Sequence, residues 1–165
     1  MWRGSERGRQ QAETEIIMKK IAACLLACWT VLQVGAGEEG AWVTDFSKAQ
    51  TQAKAEKKMV LMDFNGSDWC PPCKALRKNV LNTQTFLDFA KDNLILVDVD
   101  FPHAKVQTEE LKKANQALSS KYKIEGYPTV IVLSSDGKEL KKMVGYGGQD
   151  AKDFVAELQK LKSSS

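Results

Sequence analysis

Beyond Gly40 the hydrophobic positions fall into two rhythms. In "WVTDFSKAQTQAKAEKK" the residues Trp42, Phe46, Ala49 and Ala53 recur at helical spacing, with Thr44 as the predicted N-cap. "MVLMDFNG" is then a short, continuous apolar run rich in branched residues, the pattern of a buried strand. From Pro71 the spacing turns helical again through "CKALRKNVL", and "TQTFLDFAKDN" continues it with Phe86, Phe89 and Ala90 on one side. "LILVDVD" predicts a second buried strand, and "TEELKKANQALSSKY" a helix with Thr108 as its cap and acids in its first turn. "PTVIVL", the turn "SSDG" and "KELKKMVGY" predict two strands in an antiparallel hairpin. Asp150 is placed to cap a last helix, "AKDFVAELQKLK", with Phe154, Leu158 and Leu161 inward. Strands separated by helices imply right-handed parallel crossovers, and the closing hairpin adds antiparallel pairing at one side. The predicted class is α/β, a mixed central sheet flanked by helices on both faces.

The N-terminus follows other rules. Residues 1–17 form a polar, Arg-rich leader, and Met18 is read as an alternative start. Residues 18–36 then read as a secretory signal peptide: Lys19 and Lys20, an apolar run from Ile21 to Val34, and a small-x-small cleavage site ending at Ala36. About fourteen apolar residues fall short of the roughly 20 that span a bilayer, so a membrane anchor is disfavoured. A further reading takes Leu25-Leu26-Ala27-Cys28 as a lipid-attachment box, which the apolar sequence continuing to Val34 disfavours. The expected mature domain is residues 37–165, periplasmic or secreted, with no membrane span.

Charge narrows the function. The formal net charge is +3, but five of the 24 basic and three of the 21 acidic residues precede Gly37, leaving 19 against 18. That balance excludes a nucleic-acid binder that works through a basic face. Signal removal would also take Cys24 and Cys28, leaving Cys70 and Cys73 in "SDWCPPCK".

Three chemistries compete for that pair. A structural zinc needs four ligands, whereas the mature segment offers two thiols and a lone histidine, His103, some thirty residues away and read as a surface-loop residue. No metal site is expected from cysteine and histidine. A purely structural disulfide between such close cysteines closes too small a loop to stabilise the fold much. A redox pair uses every neighbouring feature. Cys70 lies where strand gives way to helix, so the positive helix end favours its thiolate and makes it the nucleophile. Pro71 at the first helical position costs no hydrogen bond. Cys73, one turn deeper, is placed to resolve a mixed disulfide, and Lys74 adds positive charge or is simply solvated.

"DFNGSDWCPPCK" before a helix, with "GYPT" opening a strand some fifty residues later, resembles the thioredoxin superfamily, particularly its exported thioredoxin-like branch, from about Trp42 to Lys162. The resemblance implies a thioredoxin-like fold, no cofactor beyond a redox-active Cys70–Cys73 disulfide, and exchange with protein thiols and disulfides and with a redox partner. It implies a cis Pro128 facing the cysteines, the Tyr127 backbone pairing with a bound peptide, and a substrate-facing surface that includes Trp69, Pro71 and Pro72. Two departures stand out. The family's buried acid lies six residues before the first cysteine, whereas Asp63 lies seven before Cys70, so Asp63, Asp68 or neither accepts the proton of Cys73. The lysine expected on the next strand is replaced by Leu96 or its apolar neighbours. The function expected is an exported thiol-disulfide oxidoreductase; because Pro71 and Pro72 withhold two backbone donors from the thiolate, a reductant or isomerase-like carrier is favoured over a strong oxidant. The alternative is a module that carries Cu(I) between the same two thiols.

Overall fold

The structure, a computed structural model, describes residues 42–163. The leader, the signal segment, its cleavage site and Cys28 lie outside those residues.

The central strand β1 (Met59–Asn65) is buried along its whole length, which explains its unbroken apolar run. It pairs in parallel with β2 (Leu94–Asp100) and antiparallel with β3 (Thr129–Leu133), and β4 (Glu139–Val144) adds to β3, giving the order β2-β1-β3-β4. Successive side chains of a strand point to opposite faces, and the two cores follow that rule. Val60, Met62 and Phe64 pack with Val97 and Val99 against α1 (Phe46–Glu56) and α4 (Glu109–Lys121). Met59 and Leu61 pack with Leu94 and Leu96 against three elements on the other face. These are the helical segment α2 (Pro71–Leu76, widening into a π turn over Arg77–Leu81), α3 (Gln84–Asn93) and α5 (Ala151–Ser163). The mixed sheet with helices on both faces is the predicted architecture.

The helix starts follow capping chemistry. Thr108 accepts from the Leu111 amide at 3.2 Å, and Asp150 from that of Asp153 at 2.9 Å. At α1 the cap is Asp45, one residue beyond the predicted Thr44. Asp45 is extended (φ −92°, ψ 97°) and its carboxylate accepts the Lys48 amide at 3.0 Å, the reach of an N-cap side chain to its third helical residue.

Continuing the alternation of β1 and β2 past Leu61 and Leu96 brings Asp63, Asn65, Asp98 and Asp100 onto the face that carries α2. In register, Asp63 stands opposite Asp98 and Asn65 opposite Asp100. Polar residues thus replace apolar ones where the parallel strands end and α2 begins, the usual place for a site in such a sheet.

Candidate active site

The chain leaves β1 through a tight turn. The amides of Trp69 and Cys70 both donate to the Gly66 carbonyl, at 3.3 and 2.9 Å, while Ser67 donates its amide and hydroxyl to the Asp100 carboxylate at 2.9 and 2.6 Å. Cys70 is the N-cap residue of α2, extended at φ −92°, ψ 104°. Pro71 and Pro72 fill the first two helical positions, whose amides would have had no helical partner. The first amide free to act is therefore that of Cys73, and it donates to Cys70 Sγ at 3.3 Å. The two sulfurs are joined in a disulfide of 2.03 Å. Cys70 and Cys73 are 3% and 1% exposed, whereas both prolines stand in solvent. Lys74 is not simply solvated, for its ammonium donates to the Asp68 carbonyl at 2.7 Å.

An aromatic ledge rises beside the pair. Trp69 is 38% exposed, and its indole N–H donates to the Phe101 carbonyl at 2.7 Å. His103 stacks on the indole at 4.6 Å, and Tyr127 meets it edge-on at 5.7 Å. The Tyr127–Pro128 peptide is cis, and Pro128 is buried. Partial burial pushes the Tyr127 phenol above its ordinary pKa. His103 is a surface-loop residue as read from the sequence, but the loop folds back onto Trp69.

The two candidate acids are far apart in character. Asp68 accepts the backbone amides of His103, Ala104 and Lys105 at 3.0, 2.7 and 3.2 Å, and these bonds hold its carboxyl down at about 2. Its oxygens fasten the 103–105 loop to the cysteine turn. Asp63 is fully buried, and burial pushes its carboxyl up to about 6 although Arg77 pulls it down. Arg77 Nε donates to Asp63 Oδ2 and Nη2 to Asp98 Oδ1, both at 2.6 Å, and Asn65 Nδ2 donates to the same Asp98 oxygen at 2.7 Å. As expected, β2 carries no lysine and has Leu96 among apolar neighbours, but the residue that faces Asp63 is an acid, Asp98, and the cation comes from the helix. Cys73, Arg77, Asp98 and Asn65 line one groove of about 460 Å³. Arg77, Asp98 and Asn65 escaped the sequence reading. The signal that could have found Arg77 is its place four residues after Cys73, on the same helical face.

Among the described residues no group of three or more His, Cys, Asp or Glu is set to hold a metal, and no helix is long and apolar enough to cross a membrane.

Comparison with known proteins agrees with this geometry. Residues 46–162 match the family model described as a thioredoxin-like domain. The disulfide bond reductase DsbH of Chlamydia pneumoniae is 33% identical over 119 residues, spanning 72% of this chain and 69% of that protein. The thioredoxin-related protein DsbJ of the same organism is 32% identical over 108 residues, 66% of this chain but 31% of that one. The thiol:disulfide interchange protein DsbD of Pseudomonas fluorescens is 31% identical over 108 residues, of which this chain spans 17% of the relative. Among solved structures, a DsbH oxidoreductase superposes with a TM-score of 0.71 at 27% identity, covering 83% of this chain and 94% of that one. The oxidised C-terminal domain of Neisseria meningitidis DsbD gives 0.53 at 26% identity, over 73% and 98%.

Proposed function

We propose that this chain, which belongs to the thioredoxin-like domain family and is a thiol-disulfide oxidoreductase of the Dsb and thioredoxin type, is exported and works there as a reductant or isomerase-like carrier for protein disulfides. Export rests on the signal read in residues 18–36, with the domain beginning near Gly37.

The direction rests on one observation above all. Pro71 and Pro72 leave the Cys73 amide as the hydrogen bond made to Cys70 Sγ, so the Cys70 thiolate has the helix end but few amides to stabilise it. A thiolate of moderate stability leaves the reduced pair ready to give up electrons. The likeness to a disulfide bond reductase supports the same direction.

In the reaction, the Cys70 thiolate attacks one sulfur of a substrate disulfide, and the other substrate sulfur departs with the bonding pair. Cys73 then loses its proton and attacks Cys70 Sγ. The Cys70–substrate bond breaks, the second substrate thiol is released, and the Cys70–Cys73 disulfide remains. Two electrons have passed to the substrate. Asp63 accepts the Cys73 proton, since it is buried beside Arg77 and has one oxygen, Oδ1, without a partner. Asp68, whose oxygens are taken up by three amides, does not. Trp69, the exposed Pro71 and Pro72 and the half-buried Tyr127 form the surface on which the substrate chain lies, with the buried Pro128 following Tyr127 at its edge.

The test is capture. Cys73→Ser should hold exported thiol proteins as mixed disulfides through Cys70, whereas Cys70→Ser should hold none and lose reductase activity. Capture by Cys70→Ser alone would reverse the assignment of the two sulfurs.

A further inference from the structure

We infer that Arg77 is a positioning residue of the exchange reaction: it holds Asp63 in its proton-accepting form to serve Cys73, with which Arg77 shares a helix face and a groove, and Asp98 and Trp42 in turn hold Arg77. The inference rests on the reading of Asp63 as the acceptor.

Arg77 follows Cys73 by one helical turn, and its amide donates to the Cys73 carbonyl, so the two side chains leave the same face of the helix. The guanidinium spans both strands of the parallel pair, Nε on Asp63 and Nη2 on Asp98. Without it the two carboxylates, opposite each other in register, would repel. A lysine is a point charge and does not offer this fork of two donors. The indole of Trp42 lies over the guanidinium at 4.0 Å, and the backbone of Val43 is bonded to β2 on both sides, to Leu96 O at 2.9 Å and from the Asp98 amide at 2.8 Å. The arginine is therefore fixed on three sides.

In the resolving step the proton of Cys73 Sγ passes to Asp63 as the sulfur forms its bond to Cys70 and the substrate sulfur leaves with the electron pair of the bond broken. That sulfur is protonated by water, and Asp63 later returns its proton to solvent through the groove. The charged groups facing Asp63 are Arg77 from α2, and Asp98 and Asp100 from β2; its partner on β3, Val130, carries no charge, and Cys73 lines the same groove as Arg77 and Asp98. Burial and both aspartates oppose ionisation, and Arg77 alone favours it. Removing the cation and removing Asp98 should therefore move the acceptor in opposite directions.

The experiment follows the release of a chromogenic aryl thiol from its preformed mixed disulfide with Cys70, as a function of pH, in the native protein and in Asp63→Asn, Arg77→Gln, Arg77→Lys and Asp98→Asn. The native rate should rise through a limb near pH 6 that Asp63→Asn abolishes. In Arg77→Gln the limb should move up by at least about one pH unit, with the rate at neutral pH falling by at least about twofold and recovering in alkali. Arg77→Lys should lie between. In Asp98→Asn the limb should move down, and because Asp98 is partly exposed this variant decides the matter if Arg77→Gln does not fold. Limbs unmoved in Arg77→Gln and Asp98→Asn, with Asp63→Asn still abolishing the native limb, would overturn the role of Arg77. A native limb that persists in Asp63→Asn would overturn the acceptor reading itself.

Discussion

Gly66→Ala tests whether the turn before the cysteines was shaped around Trp69. A Cβ at Gly66 would lie 2.3 Å from Trp69 Cε2 and 2.5 Å from its Nε1. The backbone cannot retreat, because the Gly66 carbonyl already receives the amides of Trp69 and Cys70. The indole must swing away, losing its hydrogen bond to Phe101, the stack on His103 and the edge contact with Tyr127. A net hydrogen bond is worth about 1 kcal/mol and each aromatic pair about 0.5–1.5 kcal/mol, and exposure of the ring puts the sum near 2 kcal/mol. Against this, alanine restricts the unfolded chain and recovers about 0.4–1 kcal/mol. The expected result is a loss of about 1–2 kcal/mol in urea denaturation, with a shift in tryptophan emission. In a Trp69→Ala background the added methyl group meets no ring, so the same substitution should be neutral or stabilising by about 0.4–1 kcal/mol. A double-mutant cycle reads this change of sign directly. An equal cost of Gly66→Ala in both backgrounds would refute the reasoning.

Two further predictions concern the acids. Asp63 has its folded pKa raised from 3.8 to about 6, so between those values the native state binds more protons than the unfolded chain; stability is full below 3.8 and is lost as pH rises through about 6, by roughly 3 kcal/mol in total. Asp63→Asn should abolish that slope, and denaturation curves of the two proteins that stay parallel across the window would contradict it. Asp68 is the opposite case, held down at about 2, so its contribution is present above 3.8 and lost as pH falls through about 2. Asp68→Ala should speed amide hydrogen exchange at His103, Ala104 and Lys105 while leaving the pH profile of the resolving step in place; a displaced profile would make Asp68 a participant in proton transfer.

Periodicity carried most of the fold. Alternating apolar runs and helical spacings gave every strand and helix of the described domain, because each element buries one stripe or one face and the sequence must supply it. Local chemistry failed by a single position at α1, where Thr44 and Asp45 can both cap and only the backbone decides. The cysteine pair was legible for a similar reason: its strand–helix junction, its prolines and its spacing are all local. The charge cluster was not. Asp98 and Asp100 alternate correctly within "LILVDVD", but the sequence does not state that Asp98 stands opposite Asp63 in the parallel register. A cation was looked for on the strand, where the resemblance placed it, while the helix supplied it from Arg77. Asp68 likewise read as a possible acceptor until the 103–105 loop returned to claim its oxygens, a contact between segments 35 to 37 residues apart.

The central claim is that Cys70 and Cys73 form a donor of electrons to other disulfides. The equilibrium reduction potential of this pair, measured against glutathione or thioredoxin with the purified domain, tests it most directly. With two prolines withholding amides from the Cys70 sulfur, the potential should lie toward the reducing end of the range for such motifs, between about −270 and −200 mV. A value near −120 mV, that of a pair whose reduced form is strongly stabilised, would contradict the account and make the protein an oxidant.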